Sequence, residues 1–123
     1  MFLHTLVLIC TLAPGVSSMG EIELHLQRGQ NAQAKELLHE RLASDSRDVE
    51  SLLALALLEM ENQNYPEAIV YLTKILKLDP YDDDSRLEIA EAYWRLANKD
   101  QALQEVVHLL ARHPEWAQAI KLQ

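Results

Sequence analysis

Apolar side chains recur every three or four residues along most of the chain, the spacing that places them on one side of an α-helix. The segments that show it are VESLLALALLEMENQ, EAIVYLTKILKL, DSRLEIAEAYWRLAN and DQALQEVVHLLARH. The chain contains only three glycines and four prolines, too few for the many turns of a β-rich fold. The pattern therefore predicts a succession of short helices.

Two of these helices repeat one phrase. NYPEAIVYLTKILKLDP and NKDQALQEVVHLLARHP place alanine and proline in the same register. Ala68 and Ala102 are 34 residues apart, and so are Pro80 and Pro114. Counting back by the same period from Ala68 reaches Ala34. A period of this length, with two helices in each unit, indicates a helical repeat array.

The residues at fixed places in each unit carry a family resemblance. The first helix, here called helix A, has a large apolar residue followed by a large and a small one. The second, helix B, has a small residue where the two helices cross. An aromatic residue lies in the turn between them, and a proline ends the unit. In the second unit these residues are Leu52, Leu55, Ala56, Ala68, Tyr65 and Pro80. In this pattern the chain resembles the tetratricopeptide repeat family.

The resemblance implies an all-α fold, a right-handed superhelical solenoid of about three helix-turn-helix units. The units are expected at about residues 19–48, 49–82 and 83–116, with a short C-terminal helix at 115–123. An alanine at each crossing lets two helices approach to about 8–10 Å, where a larger side chain would separate them. Stacked neighbours then supply the core that a single helix pair lacks.

Two arginines depart from the repeat pattern. Arg41 occupies a position that is apolar in the other units, and Arg86 lies where helix A of the third unit should begin with a large apolar residue. The sequence also predicts two capping boxes from their S-x-x-E spacing, at Ser18–Glu21 and Ser85–Glu88.

The N-terminal segment FLHTLVLICTLAPGVSS, residues 2–18, contains no acidic or basic side chain except His4. Its apolar part, Phe2 to Ala13, has the length of a signal-peptide core, and small residues follow it. Three interpretations remain open: an export signal cleaved after Ser18, an uncleaved hydrophobic anchor or arm, and a plain cytosolic start. The first two predict a secreted, periplasmic or membrane-anchored protein facing outside, and the third a cytoplasmic one.

Composition and charge narrow the classes of function. Hydrophobic residues make up 49% and charged residues 24% of the chain, as in globular proteins. A formal net charge of −8 argues against nucleic-acid binding but leaves a basic protein partner open. The single cysteine, Cys10, allows no internal disulfide and no CxxC metal site.

The residues show no catalytic constellation, so a non-enzymatic protein without metal or cofactor is expected. The histidines are scattered over different helices and form no H-E-x-x-H pair; His113 is assigned to a helix end. The acidic run DPYDDD, residues 79–84, lacks the glycine of a calcium loop. Helix capping by Asp82, Asp83 and Asp84 is the main interpretation, and a weak contact to a cation or a basic partner is the alternative.

The resemblance implies a binding surface for a protein or peptide on the A helices. Leucines, a methionine and a tryptophan would form an apolar stripe rimmed by carboxylates, with Trp94 as the anchor for an amphipathic helix or an extended peptide. Packing of some of these residues between neighbouring helices is the competing interpretation. The predicted partner-binding residues are Glu50, Leu53, Leu57, Met60, Glu61, Asp84, Leu87, Glu91, Trp94 and Arg95.

The array ends suggest a second function, that of a structural subunit packed permanently within a larger complex. Trp116, Ile120 and Leu122 can cover only part of the third unit, so Val106, Val107 and Leu110 of the last B helix are at risk of exposure. Two interpretations stay open: the short C-terminal helix caps the array adequately, or a second copy or another protein continues the stack. Such an end would allow self-association or stacking on another protein. Membrane contact is expected only through the N-terminal segment.

Overall fold

The computed structural model describes residues 16–118, which form six α-helices, one 3₁₀ helix and no β-strand. The α-helices are α1 (Met19–Gln27), α2 (Asn31–Ser44), α3 (Val49–Glu61), α4 (Tyr65–Leu78), α5 (Asp83–Arg95) and α6 (Lys99–Arg112), and the 3₁₀ helix is Pro114–Gln118. The predicted all-α helical-repeat class is confirmed. The predicted N-terminal signal or anchor lies outside the described residues, apart from its last three, and so do Ile120 and Leu122.

The helices fall into two compact units, one ending at Asp48 and the other beginning at Val49. In the first unit α1 packs on α2, and Ile22, Ala34 and Leu38 are buried. Helix α1 begins with the predicted capping box. The Ser18 hydroxyl accepts a hydrogen bond from the backbone N–H of Glu21, and the Glu21 carboxylate accepts one from the N–H of Ser18.

Arg41 is accommodated in the first unit by polar partners. Its guanidinium forms an ion pair with Asp48 at 2.8 Å and donates a hydrogen bond to the backbone carbonyl of Ser17 at 2.9 Å. A charge that leaves bulk water needs such partners to offset its desolvation. Arg41 therefore connects Ser17, the residue before the cap of α1, to Asp48 at the end of the unit. The equivalent residue of the next repeat, Ile75, is apolar and completely buried.

In the second unit each helix packs on the next, α3 on α4, α4 on α5 and α5 on α6. Ala68 and Ala102, the small residues of the two B helices, are both completely buried, as the repeat predicts. Large apolar residues surround these crossings at equivalent positions of successive repeats. At three such positions the residues of both repeats are buried: Leu55 and its equivalent Ile89, Leu72 and its equivalent Val106, and Ile75 and its equivalent Leu109.

The turn from helix A to helix B has the same backbone conformation in all three repeats. Gly29, Gln63 and Ala97 have φ values of 73°, 61° and 63°, and they are spaced by the repeat period. After each comes a residue whose N–H bonds to a carbonyl five residues back, as from Asn64 to Glu59 at 2.8 Å. This is the Schellman closure of a helix, which normally uses glycine. Only the first repeat supplies one.

Helix α5 begins differently from the prediction. The predicted capping box at Ser85 and Glu88 is wrong, because Ser85 lies inside the helix and is buried. The cap is Asp82, whose carboxylate accepts the backbone N–H of Ser85 at 3.2 Å. Capping by the acidic run is thus confirmed at Asp82, while Asp83 and Asp84 occupy the first turn. A carboxylate is favoured there by the exposed N–H groups of the helix start.

Arg86 forms a part-buried ion pair across the contact between α5 and α6. Its guanidinium lies 2.8 Å from the carboxylate of Glu105, and both side chains retain less than a fifth of their exposure. Nε of Arg86 is buried and has no hydrogen-bond partner among the described residues. A polar pair therefore replaces the apolar contact that the repeat pattern places here.

The last described element of the second unit is the 3₁₀ helix Pro114–Gln118, in the region where a short C-terminal helix was predicted at 115–123. Pro114 follows His113, whose carbonyl accepts the N–H of Trp116 at 2.9 Å. The two rings stack with their centroids 4.1 Å apart, and the His113 ring bonds to Asp83 at 2.5 Å. His113 thus ends α6, as predicted, and also connects it to the start of α5. Arg112 pairs with the same carboxylate.

The expected exposure of α6 is confirmed at one of three positions. Val107 is 64% exposed, whereas Val106 is only 8% exposed. Leu110 is half-buried. Val106 is equivalent to Leu72 of the preceding repeat, which is completely buried.

We expect Ala102→Leu to lower the free energy of unfolding by about 1–3 kcal/mol, because a leucine at the crossing overpacks the contact of α5 with α6. Ala111→Leu is the matched control, since Ala111 lies in the same helix and is exposed. Its effect should stay within about 0.5 kcal/mol. Urea unfolding followed by circular dichroism measures both. Equal effects of the two substitutions would contradict the close crossing.

Candidate functional site

The ten predicted binding residues occupy equivalent positions on α3 and α5, the two A helices of the second unit. We call the sides of α3 and α5 that carry them the A-helix face. Each residue on α3 has a counterpart 34 residues later on α5. The five pairs are Glu50 with Asp84, Leu53 with Leu87, Leu57 with Glu91, Met60 with Trp94, and Glu61 with Arg95.

Three leucines on this face are exposed to solvent. Leu53 and Leu87, at equivalent positions, are each 37% exposed, and Leu57 is 41% exposed. Leu53 and Leu57 are four residues apart and so lie on one side of α3. The apolar surface that each leucine still exposes could be buried by a partner, and burying it would favour binding.

Met60 and Trp94 are only half-buried, so they contribute to the face and to the packing beneath it. The ammonium of Lys99 lies 5.6 Å from the centre of the Trp94 ring. A cation at that distance from an aromatic face is attracted to it. The predicted anchor is therefore partly engaged with its own chain.

The C-terminal ends of α3 and α5 enclose a shallow pocket of about 340 Å³. Arg95 donates from Nε to the carboxylate of Glu91 at 2.5 Å. That carboxylate, and more weakly the phenol of Tyr65, raise the pKa of Arg95. The pocket thus combines a thioether, an aromatic ring, two carboxylates and one cation. Its lining residues are Met60, Glu61, Gln63, Tyr65, Glu91 and Arg95.

The structure brings four of the predicted residues together at this pocket and adds two others. Met60, Glu61, Glu91 and Arg95 are the four. The prediction omitted Gln63, which lies in the turn between α3 and α4, and Tyr65, the first residue of α4. A signal was present, because the aromatic residue of this turn lies next to the end of helix A in the repeat. Glu50 and Asp84 are exposed at the opposite, N-terminal ends of α3 and α5.

One further carboxylate on α5 lies beside the predicted residues. Burial raises the pKa of Glu88, and the negative charges of Glu91 and Asp84 raise it further. Asp84, Glu88 and Glu91 follow one another at helical spacing, so their charges accumulate on one side of α5. Arg95 pairs with Glu91, but neither Asp84 nor Glu88 has an ion pair within residues 16–118.

A separate apolar strip lies on α6. Leu103 and Val107 are 52% and 64% exposed, and they line a shallow depression together with Asp100, Gln104 and His108. Leu103 and Val107 are four residues apart and share one side of the helix. Val107 is the one residue of this strip for which the sequence predicted exposure, and Leu103 was not predicted.

Residues 16–118 contain neither a candidate metal site nor a candidate membrane-spanning helix. This part of the chain contains no cluster of three or more histidine, cysteine, aspartate or glutamate side chains that could hold a metal ion. His25 and His113 have local partners: His25 Nδ1 lies 2.7 Å from Gln30 Oε1, and His113 Nε2 lies 2.5 Å from the Asp83 carboxylate. None of the described helices combines the length and the hydrophobicity needed to cross a bilayer.

The repeat of packing, turns and exposed positions has counterparts among known proteins. Two family models, both described as tetratricopeptide repeat, match residues 20–83 and 59–123. The chain belongs to the tetratricopeptide repeat family. The two matches together include all six α-helices apart from the first residue of α1.

One curated relative shares a single stretch with this tetratricopeptide repeat protein. The chain is 37% identical over 65 residues to the formate-dependent nitrite reductase complex bifunctional subunit NrfFG of Haemophilus influenzae. The matched stretch is 51% of this chain but only 17% of the relative, so the chain spans less than a fifth of that protein.

Membership of the tetratricopeptide repeat family gives the general class of function. These repeats are protein-interaction modules and are generally non-catalytic.

We expect Glu88→Gln to stabilise the protein at pH 7 and to have little effect at low pH. A carboxyl whose pKa is raised on folding binds its proton more tightly in the native state, so stability falls as the pH rises from about 4.5 through the native pKa. The destabilisation is complete above that native pKa and absent below about 4.5. Glutamine removes it.

Urea unfolding of wild type and variant at pH 4 and pH 7 measures this difference. Glu36→Gln, on the exposed side of α2, is the control for removing one negative charge from a chain of net charge −8. A gain for Glu88→Gln that is no larger than the gain for Glu36→Gln at pH 7 would contradict the expectation.

Proposed function

We propose that the chain is a non-enzymatic interaction module whose A-helix face binds a segment of a partner protein. The observation that carries this proposal is the repeated exposure of leucine at equivalent positions of α3 and α5. A side chain that is solvent-exposed at the same place in two repeats is not required for packing between those repeats. Leucines held on one side of two neighbouring A helices suit the apolar side of a peptide.

The pocket at the ends of α3 and α5 supports this proposal. Its polar groups converge from two helices and a turn, and polar groups around an apolar centre fix the orientation of a bound chain. Met60 and the Tyr65 ring supply apolar contact, and Glu61 and Gln63 supply hydrogen-bonding groups. The A-helix face then offers leucines along its length and polar recognition at one end.

The relative suggests the setting in which such a module works. By its name, NrfFG is a bifunctional subunit of a formate-dependent nitrite reductase complex. We propose that this chain likewise serves within, or in the assembly of, a multiprotein complex. A non-catalytic module there would hold a component in place by binding one of its segments.

A second candidate function is favoured by the apolar strip on α6. In this alternative Leu103 and Val107 pack permanently against another subunit or a second copy of the chain, and the A-helix face is incidental. Both side chains are more than half exposed, and burying them would be favourable.

Capture of partner proteins by the immobilised chain tests both functions. We expect Leu57→Glu to abolish capture, because it introduces a charge among the exposed leucines of the A-helix face. Trp94→Ala should reduce capture, because it removes the aromatic anchor. Val70→Glu is the matched control, since Val70 is 48% exposed on the B helix α4. Its capture should equal that of the wild type.

Val107→Glu separates the two functions. Loss of capture with Val107→Glu together with retained capture by folded Leu57→Glu would favour the α6 strip and reject the A-helix face. Circular dichroism of each variant shows whether the helices remain. Retained capture by both Leu57→Glu and Trp94→Ala would contradict the proposed function.

We also propose that the protein works outside the cytoplasm. The support is the apolar stretch from Phe2 to Ala13 and the small residues that follow it. The intact mass of the protein from its native source should then correspond to a chain cleaved near Ser18, or the protein should fractionate with membranes. A full-length soluble cytoplasmic form would contradict this proposal.

A further inference from the structure

The A-helix face has a charge pattern as well as an apolar one. On α5, Asp84 and Glu88 are four residues apart, and Glu91 follows three residues later. Their carboxylates therefore share one side of the helix, next to the exposed Leu87. On α3 the exposed Glu61 lies at the C-terminal end of the helix, beyond Leu53 and Leu57, and lines the pocket between the ends of α3 and α5.

The negative charge on this side of α5 is only partly balanced. Arg95 pairs with Glu91, but that contact uses the cation nearest to the row. Asp84 and Glu88 have no ion pair among the described residues, and Glu88 is half-buried. Burial raises the pKa of Glu88, and the negative charges of Glu91 and Asp84, which lie at helical spacing from it, raise it further.

We infer that the segment held on the A-helix face is a basic amphipathic helix, with apolar side chains on Leu53, Leu57 and Leu87 and lysine or arginine side chains against Asp84 and Glu88. This inference rests on the proposed function, because it assigns the chemistry of the partner at the same face. A cation placed there relieves the repulsion between carboxylates and forms ion pairs that residues 16–118 do not supply.

The same charges select against other partners. An acidic amphipathic segment would match the leucines but bring like charges beside Asp84, Glu88 and Glu61, and like charges held close together are unfavourable. The net charge of −8 adds a weaker, long-range repulsion. Specificity on this face thus comes from charge, while the leucines contribute affinity to either kind of helix.

Three synthetic peptides of about four helical turns test the inference. The first has leucine every three or four residues and lysine elsewhere, the second replaces its lysines with glutamates, and the third scrambles the first so that no apolar side remains. Fluorescence anisotropy with the full chain measures binding. The basic amphipathic peptide should bind at least about tenfold more tightly than either of the others.

Two double variants locate the charge effect. Asp84→Asn combined with Glu88→Gln should weaken binding of the basic peptide roughly fivefold to tenfold. Glu36→Gln combined with Glu40→Gln removes the same charge at the same spacing from the exposed side of α2 and should leave binding unchanged. Equal weakening by the two pairs would mean that only net charge matters, and would overturn the inference.

A titration of the Glu88 carboxyl carbon by nuclear magnetic resonance gives a readout on the wild-type chain. Saturation with the basic peptide should lower the pKa of Glu88, and an unchanged or higher value would overturn the inference.

The outcomes also distinguish the inference from the proposed function. Suppose that the acidic and basic amphipathic peptides bind equally and that both lose binding with Leu57→Glu. That result would overturn the inference of a basic partner but would support the A-helix face as the binding surface. Binding of neither peptide would overturn both.

Discussion

The close crossing of helices at buried alanines is the contact on which the rest of the second unit depends. Ala68 and Ala102 have no exposed surface, and each is the small residue of its B helix. Two helices separated by about 8–10 Å can interlock the larger side chains on either side of such a crossing. Equivalent positions around the alanines, such as Leu72 and Val106, are buried in both repeats because the crossing repeats.

The same regularity explains which side chains remain free. Within the described part of the second unit, stacking through the small and large core residues leaves leucines exposed on one side of both A helices, α3 and α5. Leu53 and Leu87 therefore have the same exposure although their neighbours differ. What differs is the charge. Ala54 on α3 is replaced at the equivalent position by Glu88 on α5, so the acidic row belongs to one repeat alone.

The helices and the core could be predicted from the sequence because both depend on period and residue size. The positions of Ala34, Ala68 and Ala102 were enough to place the three crossings. Details that depend on side-chain geometry were not predictable in this way. Ser85 has the spacing of a cap but lies inside the helix and is buried, because the helix begins earlier, with Asp82 as its cap. The pocket residue Gln63 was missed because no periodic apolar signal marks a turn residue.

Gln63 also shows how this fold places a side chain where glycine would be easier. Its φ of 61° lies in the left-handed region, which is unfavourable for a residue with a Cβ by about 1–2 kcal/mol. The equivalent Gly29 avoids that strain but has no side chain. The second repeat therefore keeps a less stable turn, and the amide of Gln63 lies at the pocket between α3 and α5 as a result. Replacing Gln63 with glycine would relax the turn but would also remove a hydrogen-bonding group from the pocket, so backbone strain and the polar lining of the pocket oppose each other at this position.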